Sequence, residues 1–238
     1  MPMCLKLNAD AIFIADSHFS HKARALLDYL SDLLASPPSQ LILMGDITQV
    51  LLGNLKSSVE SKMELLILLD SIEKKGVEII WLEGNHDFFL SSIKKIGFLL
   101  NTYFVPRKKQ PLLAKFEGRT YLLAHGDLYL GRSYELYIQT LTKIPKLLKF
   151  IDYLSAGELY EEIEKKLELK AVRQHSFYFL DFASKRIQAY QKRHLFTFDG
   201  IIEGHFHIGK KISLSSITYI ALPSFYFTHQ GNKLSSLV

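Results

Sequence analysis

Short apolar runs in this chain end directly in clusters of aspartate, asparagine, histidine and glycine, and this arrangement constrains the fold more than any other feature. Runs that are apolar throughout are typical of strands buried on both faces of a sheet, and such sheets carry functional residues where the strands end. The sequence therefore predicts an α/β fold whose polar clusters meet at one edge. There are five clusters: Asp16-Ser17-His18, Gly45-Asp46, Gly84-Asn85-His86-Asp87, His125-Gly126-Asp127 and Gly204-His205-Phe206-His207.

Helical segments alternate with the predicted strands, as in βαβ units. Amphipathic periodicity predicts helices at residues 21–35 and 59–75, which end at Ser36-Pro37-Pro38 and Gly76. The segment Phe225-Tyr226-Phe227 is expected to cover the sheet edge. Apolar runs predict strands at residues 9–15, 41–44, 77–82, 111–116, 119–124, 200–203 and 217–222.

The clusters offer oxygen and imidazole nitrogen ligands and no thiolate, a set that suits Mn²⁺, Fe or Zn²⁺ rather than a zinc finger. Asp16 and His18 are two residues apart, as are His205 and His207. In an extended chain such side chains point to the same side, so we expect each pair to face one site. The structural alternatives are a capping aspartate beside a surface histidine for the first pair, and core histidines for the second.

Composition favours a single domain, with room for a subdomain, in a reducing compartment. The chain has 238 residues and one cysteine, Cys4, which excludes an internal disulfide. We see neither a signal peptide nor an apolar stretch of the roughly 18 residues that a spanning helix needs. We therefore expect a soluble, cytoplasmic protein, or a peripheral one. A net charge of +5 is compatible with anionic partners, but from charge alone ordinary surface lysines are the preferred explanation.

In this order, the five clusters resemble the calcineurin-like metallophosphoesterase superfamily, whose pattern is D-x-H, GD, GNH[DE], H and GH-x-H. The resemblance implies a β-sandwich flanked by helices (αββα) and two divalent ions, with Mn²⁺ favoured over Fe, Zn²⁺ or Mg²⁺. It implies that Asp46 bridges the two metals, with the other ligands on either side. One metal would take Asp16, His18, Asp46 and His207, and the other Asp46, Asn85, His125 and His205.

The resemblance also implies hydrolysis of a phosphate ester or anhydride without a covalent enzyme intermediate. His86 is expected beside the scissile phosphate, where it either protonates the leaving oxygen or stabilises the transition state as a cation. Asp87 is expected to hold the other ring nitrogen of His86 and so fix its tautomer. We expect Asp127 to serve the surrounding structure or to support the ligands from behind.

Residues 131–198 contain no cluster, so we expect a helical cap inserted into a core of residues 1–130 and 199–238. Its large apolar and aromatic side chains alternate with basic ones, which suits acyl chains together with phosphates or an anionic membrane surface. An ordinary helical insertion packed on the core is the alternative. The candidate substrate-binding residues are Arg132, Tyr134, Tyr137, Lys143 and Lys146.

Within the superfamily, the clusters and the long insertion resemble the UDP-2,3-diacylglucosamine pyrophosphohydrolases of lipid A synthesis. The motifs that carry this resemblance include Ile14-Ala15-Asp16-Ser17-His18 and the seven residues from Gly84 to Leu90. It implies cleavage of UDP-2,3-diacylglucosamine to UMP and 2,3-diacylglucosamine 1-phosphate beside the inner membrane. The chain departs from the best-known form at His86, where that form has arginine, and at Gln49, where it has glutamate.

Three alternatives remain open at the level of sequence. The protein could be a cytosolic phosphodiesterase or phosphatase that acts on a nucleotide or another soluble ester. It could be a nuclease, since a basic protein attracts backbone phosphates, but its aliphatic runs make nucleic acid the less favoured partner. It could also be a scaffold that binds no metal, although every ligand of the pattern is present.

Overall fold

The structure is a computed structural model that describes residues 4–143, 158–168, 172–173 and 178–238. Its strands are β1 (Cys4–Lys6), β2 (Ile12–Ile14), β3 (Gln40–Leu43), β4 (Leu51–Leu52), β5 (Glu78–Leu82), β6 (Asp87–Phe88), β7 (Tyr103–Val105), β8 (Leu112–Phe116), β9 (Arg119–Ala124), β10 (Gly200–Glu203), β11 (Lys210–Leu214), β12 (Ile217–Ala221) and β13 (Asn232–Lys233). Its α-helices are α1 (Ala25–Ala35), α2 (Lys56–Glu60), α3 (Met63–Lys74), α4 (Arg132–Lys143), α5 (Glu158–Glu168), α6 (Phe179–Gln191), α7 (Phe225–Thr228) and α8 (Leu234–Leu237).

Two sheets form the centre of the molecule. One has six strands in the order β1-β8-β9-β10-β12-β11, and the other has five in the order β13-β2-β3-β5-β7. Side chains from both sheets pack into one buried cluster, which includes Phe13, Ile42 and Ile80 from one sheet and Leu123 and Ile202 from the other. The sheets therefore form a sandwich whose shared core excludes water.

Helices cover the outer faces of the sandwich. Helices α1 and α3 pack on the five-stranded sheet, where Leu30 and Leu69 join the same cluster as Leu41. Helix α6 packs on the six-stranded sheet through Ile187 and Tyr190. Strand β2 shows why both faces are apolar, since its alternate residues point to opposite clusters. The predicted α/β sandwich with flanking helices is confirmed.

Several predicted elements differ in extent from the observed ones. The helix predicted at residues 59–75 is interrupted between α2 and α3, where the Lys62 side chain turns inward to Glu164. The segment Phe225-Tyr226-Phe227 starts helix α7, and the amides of Phe225 and Tyr226 donate to the carbonyls of Ala15 and Asp16, just beyond β2. Phe225 also packs against Tyr29 of α1, with ring centroids 5.3 Å apart.

The predicted insertion contributes helices α4, α5 and α6 within the described residues. Because α6 shares its core with the six-stranded sheet, part of residues 131–198 belongs to the packing of the sandwich. The division into core and cap stays a prediction. Among the described residues, no helix is both long enough and apolar enough to cross a bilayer.

Candidate metal centre

Each polar cluster follows the carboxyl end of a strand. Strands β2, β3 and β5 are parallel neighbours, and β9 and β10 are parallel neighbours in the other sheet. The carboxyl ends of parallel strands lie at one edge, where side chains from separate loops can converge. The structure brings the loops of both sheets together at this edge.

Asp46 lies at the middle of the assembled side chains. Potential ligand atoms lie within 4.8 Å of one another in three groups, and Asp46 belongs to two of them. A further predicted ligand, Asn85, places its Oδ1 3.1 Å from His125 Nε2. The three groups are Asp16 with His18 and His207, His18 with Asp46 and His86, and Asp46 with His125 and His205.

The loop backbone does not take the extended form expected for the two pairs. Asp16 and His18 have φ values of 54° and 45°, and His205 and His207 have values of 63° and 55°. The prediction that each pair lies along an extended strand is wrong, because these residues occupy the left-handed region, which normally favours glycine. The turns send His205 and His207 to opposite sides of the centre.

Hydrogen bonds between loops hold this unusual backbone. The amide of His18 donates to the Asp46 carbonyl at 3.0 Å, and the amide of His205 donates to Asp16 Oδ2 at 2.8 Å. Non-glycine residues in the left-handed region cost of order 1–3 kcal/mol each and persist only where surrounding contacts hold them. Such a cost is typical of functional sites.

Backbone carbonyls orient three of the histidines. The Nδ1 atoms of His125, His86 and His207 lie 3.0, 2.7 and 2.7 Å from the carbonyls of Met44, Gln49 and Arg173. A carbonyl only accepts, so each Nδ1 carries the proton and the Nε2 of the neutral ring has a free lone pair. These are the tautomers that histidine metal ligands require.

The free Nε2 atom of His207 points at a carboxylate oxygen and at a second imidazole. His18 Nε2 and His207 Nε2 are 3.5 Å apart, and His207 Nε2 lies 3.4 Å from Asp16 Oδ1. Asp16 Oδ1 is buried and has no hydrogen-bond donor within the described part of the chain. Buried lone pairs that face one another are unfavourable unless a proton or a cation lies between them. These residues therefore fit a divalent metal.

The charges divide the histidines into two kinds. Burial lowers the pKa of His18 to about 4, and burial with the nearby His125 lowers the pKa of His205 to about 3. Burial also disfavours charge on His125 and His207. The carboxylates of Asp46 and Asp16 outweigh it and raise both pKa values. Each carboxylate thus favours a positive charge beside it, and a bound metal would supply that charge while the imidazoles stay neutral.

The family follows from the comparison of the chain with known proteins. The profile of the calcineurin-like phosphoesterases matches residues 11–209. The chain belongs to the calcineurin-like phosphoesterase family. The predicted resemblance is therefore confirmed, and so is the prediction of a phosphoesterase at the level of the family.

Proteins similar to this chain include a UDP-2,3-diacylglucosamine hydrolase from Blochmanniella floridana. It is 29% identical over 143 residues, which is 56% of this chain and 56% of the relative's length. Yfce, a phosphoesterase from E. coli, is 16% identical with a TM-score of 0.42. The match covers 90% of this chain and 79% of the Yfce chain. A dimetal phosphatase from Danio rerio is 13% identical with a TM-score of 0.40, covering 90% and 87%.

Asp87 of the calcineurin-like pattern has a different place from the predicted one. The expectation that it holds the ring of His86 is wrong, because the Gln49 carbonyl occupies that position. The buried Asp87 carboxyl instead accepts the backbone amides of Gly84, Asp46 and Ile47 at 2.6, 3.1 and 3.0 Å. Burial and the neighbouring Asp46 raise the pKa of Asp87 to about 7. The Asp87 carboxyl therefore connects the loop of residues 84–87 with the loop that carries Asp46.

His86 lies on the open side of the centre. Its backbone amide donates to Asp46 Oδ1 at 2.9 Å, and its Nε2 lies 4.0 Å from Asp46 Oδ2. Its side chain is part-exposed, whereas Asp16, Asp46 and His125 are buried. The Nε2 atom can therefore reach a substrate that approaches from solvent.

The candidate substrate residues are placed unevenly. Tyr134 and Tyr137 of α4 lie near the centre: the Tyr134 ring is 6.3 Å from the His205 ring and 6.2 Å from the Tyr137 ring. Arg132 is exposed at the start of α4. Lys143 is the last residue of that helix, and Lys146 lies outside the described residues.

Several residues that no sequence motif indicated support the loops that carry His125 and His205. The Gln110 side chain accepts the His125 amide at 2.8 Å, and Arg107 donates to Asp127 Oδ2 at 2.5 Å. Arg186 and Glu203 form a buried ion pair beside the same loops. One signal was available for this pair, because Glu203 ends an otherwise apolar strand and a buried carboxylate requires a partner.

Proposed function

We propose that the protein is a dinuclear-metal phosphohydrolase. The observation that carries the proposal is the position of Asp46 between two groups of potential ligands, with imidazoles held in the tautomer that exposes Nε2. When bound, two divalent ions supply a nucleophile from water at neutral pH and neutralise the phosphoryl oxygens during in-line attack. Mn²⁺ is the ion we favour, with Fe, Zn²⁺ and Mg²⁺ as alternatives.

The chain's own residues would position the reactants. Asp46 presents carboxylate oxygens to both sides, while Asp87 fixes the loop that carries it. His86 keeps a proton on Nδ1 through the Gln49 carbonyl, so any proton that it gives or takes passes through Nε2. As the bond from phosphorus to the leaving oxygen breaks, a proton on His86 Nε2 would either move to that oxygen or hydrogen-bond a phosphoryl oxygen.

For the substrate, we propose the pyrophosphate of UDP-2,3-diacylglucosamine, cleaved to UMP and 2,3-diacylglucosamine 1-phosphate. The name of the Blochmanniella floridana relative supports this choice, as do the exposed apolar side chains of helix α4. Leu136 and Tyr137 are 65% and 57% exposed, and the Tyr137 ring lies 6.2 Å from Tyr134, whose own ring is 6.3 Å from His205. Their exposure, with the net charge of +5, suits a glycolipid taken from an anionic inner-membrane surface.

The test is release of UMP from UDP-2,3-diacylglucosamine in detergent with Mn²⁺. UDP-N-acetylglucosamine is the control that shares the nucleotide but lacks the acyl chains, and bis-p-nitrophenyl phosphate tests the metal chemistry alone. We expect strong preference for the diacylated substrate. We also expect Leu136→Ser with Tyr137→Ser to reduce turnover of that substrate only.

A soluble ester is the second candidate, and His86 is the observation that favours it. Histidine at this position restores the general pattern of the superfamily, whereas the best-known diacylglucosamine form has arginine. If the soluble substrates are turned over as fast as the diacylated one, the lipid is excluded and a nucleotide or another small ester takes its place. Absence of turnover on all three substrates would contradict the phosphohydrolase itself.

A further inference from the structure

Two segments of the insertion contact the metal centre through their backbone. The carbonyl of Arg173 accepts a hydrogen bond from His207 Nδ1 at 2.7 Å. This contact determines which nitrogen of His207 carries the proton and how the ring is turned. The ring of His207, which the loop after β10 carries, is therefore oriented by the inserted chain together with the sandwich.

The second contact passes through Gln49. Its side-chain Nε2 donates to the carbonyl of Leu167 at 3.0 Å, and its own carbonyl accepts from His86 Nδ1 at 2.7 Å. An ionised glutamate at this position has no proton to donate to Leu167. This chain thus differs from the best-known diacylglucosamine form at Gln49. The glutamine side chain bonds to the insertion, and its backbone carbonyl orients His86.

A buried ion pair fixes helix α5 against the sandwich. Lys62 and Glu164 are 1% and 3% exposed, and their charged groups are in direct contact. On the same helix, the Tyr160 hydroxyl donates to the Val50 carbonyl at 3.1 Å. Removal of one partner from a buried pair leaves an uncompensated charge, so the docked position of α5 depends strongly on Glu164.

We propose that the docked insertion is a positioning part of the metal centre, in addition to any part it takes in substrate binding. This inference rests on the proposed metal-dependent function. The contacts at His207 and His86 give the insertion a direct influence on metal affinity. By thermodynamic linkage, bound metal must stabilise the docked insertion by the same factor.

The decisive experiment compares Glu164→Gln with Glu162→Gln. Both changes remove one charge from α5, but Glu162 is exposed and pairs with the exposed Lys166 at 3.2 Å. Mn²⁺ affinity is measured by calorimetry, and kcat is measured with bis-p-nitrophenyl phosphate, which is too small to need an acyl-binding cap. We expect Glu164→Gln to weaken Mn²⁺ binding about 10–100-fold, the usual cost of losing support behind a ligand. Glu162→Gln should match the wild type.

A second measurement requires no variant. Hydrogen exchange of the amides in residues 158–168 is followed in the wild-type protein with and without Mn²⁺. Linkage predicts slower exchange in these residues when Mn²⁺ is bound, and equal rates would overturn the inference.

The outcomes separate this inference from the proposed function. If the wild type neither binds Mn²⁺ nor hydrolyses the small ester, the proposed function fails. If the wild type does both and Glu164→Gln retains its Mn²⁺ affinity and kcat, only the positioning inference fails. A lower melting temperature with unchanged Mn²⁺ affinity would also overturn it, because that result assigns Glu164 a purely structural role.

Discussion

The two sides of the candidate centre use the same side-chain chemistry but rest on different supports. On one side, His125 is 0% exposed and donates to the carbonyl of Met44, which is itself buried. On the other side, His207 is 7% exposed and donates to the carbonyl of Arg173, an exposed residue of the insertion. The first side belongs to the core of the sandwich, and the second depends on a segment added to it.

Further contacts support the loops on the core side. Gln110 accepts the amide of His125, and Glu203 pairs with Arg186 next to the loops of His125 and His205. Arg186 lies on α6, the part of residues 131–198 that packs on the six-stranded sheet. The Arg186 guanidinium also donates to the carbonyls of Leu128 and Gly126 at 2.8 and 3.1 Å. The core side should therefore keep its shape under changes that disturb the insertion side.

Replacement of Asp46 should disable both sides of the centre at once, because its carboxylate belongs to ligand groups on both sides. We expect Asp46→Ala to abolish hydrolysis, an effect larger than the roughly 10²–10³-fold cost of removing one transition-state hydrogen bond. Metal content and turnover of bis-p-nitrophenyl phosphate measure this effect. The control is Asp28→Ala, an exposed aspartate of α1. Wild-type rates in Asp46→Ala would be incompatible with a two-metal site.

His207→Ala should remove the metal ion on the insertion side of the centre only. We expect hydrolysis to be lost because both ions are needed, while one of the two ions remains bound on the core side. Mn²⁺ stoichiometry after gel filtration measures this asymmetry, and His229→Ala is the exposed histidine control. Loss of both ions would show that the two sides are not independent.

His86→Ala tests the role of the part-exposed His86 imidazole, which lies next to Asp46 and can contact a substrate. General acid–base catalysis contributes about 10²–10⁴-fold, so we expect kcat to fall by that amount with both metals still bound. Rates with leaving groups of different acidity distinguish the two roles, since a general acid matters most for poor leaving groups. A drop in metal content would instead make His86 a ligand.

Arg186→Met should weaken the support of the core side. Loss of one partner from a buried ion pair typically costs about 3–5 kcal/mol, and Glu203 would remain buried with the hydroxyls of Tyr190 and Tyr219. Urea unfolding measures the change in the free energy of unfolding. Lys185→Met, an exposed neighbour on α6, should change it little. Equal stability of the two variants would contradict this role for Arg186.

Metal itself should produce the smallest effect. A ligand that binds only the folded protein adds about 2.7 kcal/mol to the free energy of unfolding at 100 times its dissociation constant. We expect Mn²⁺ to raise the melting temperature accordingly, and EDTA to reverse the shift. Asp46→Ala provides the control, since it should show no shift.

The sequence was most informative where function depends on short stretches of chain. Asp16, Asp46 and His125 lie within three residues of the ends of apolar strands, so the strand pattern located them without any knowledge of distant contacts. The strands β9 and β10 that precede His125 and His205 were predicted with their observed bounds.

The missing parts depend on contacts between distant residues. Lys62 and Glu164 are 102 positions apart, and no local pattern predicts that a lysine would interrupt a helix to reach such a partner. Asp87 was assigned to His86 because the two are adjacent, whereas the folded chain turns its carboxyl toward backbone amides near Asp46. The left-handed φ values of the ligand residues also arise from contacts between loops.

The carbonyls that orient His125, His86 and His207 belong to residues 44, 49 and 173. Every amino acid has a backbone carbonyl, so replacement of these side chains leaves the acceptors in place. The orientation of the imidazoles thus depends on the path of the backbone, and a point substitution at these three positions does not remove the acceptors directly. Anyone who shortens or exchanges the insertion must preserve the position of one peptide group at residue 173, whatever side chain accompanies it.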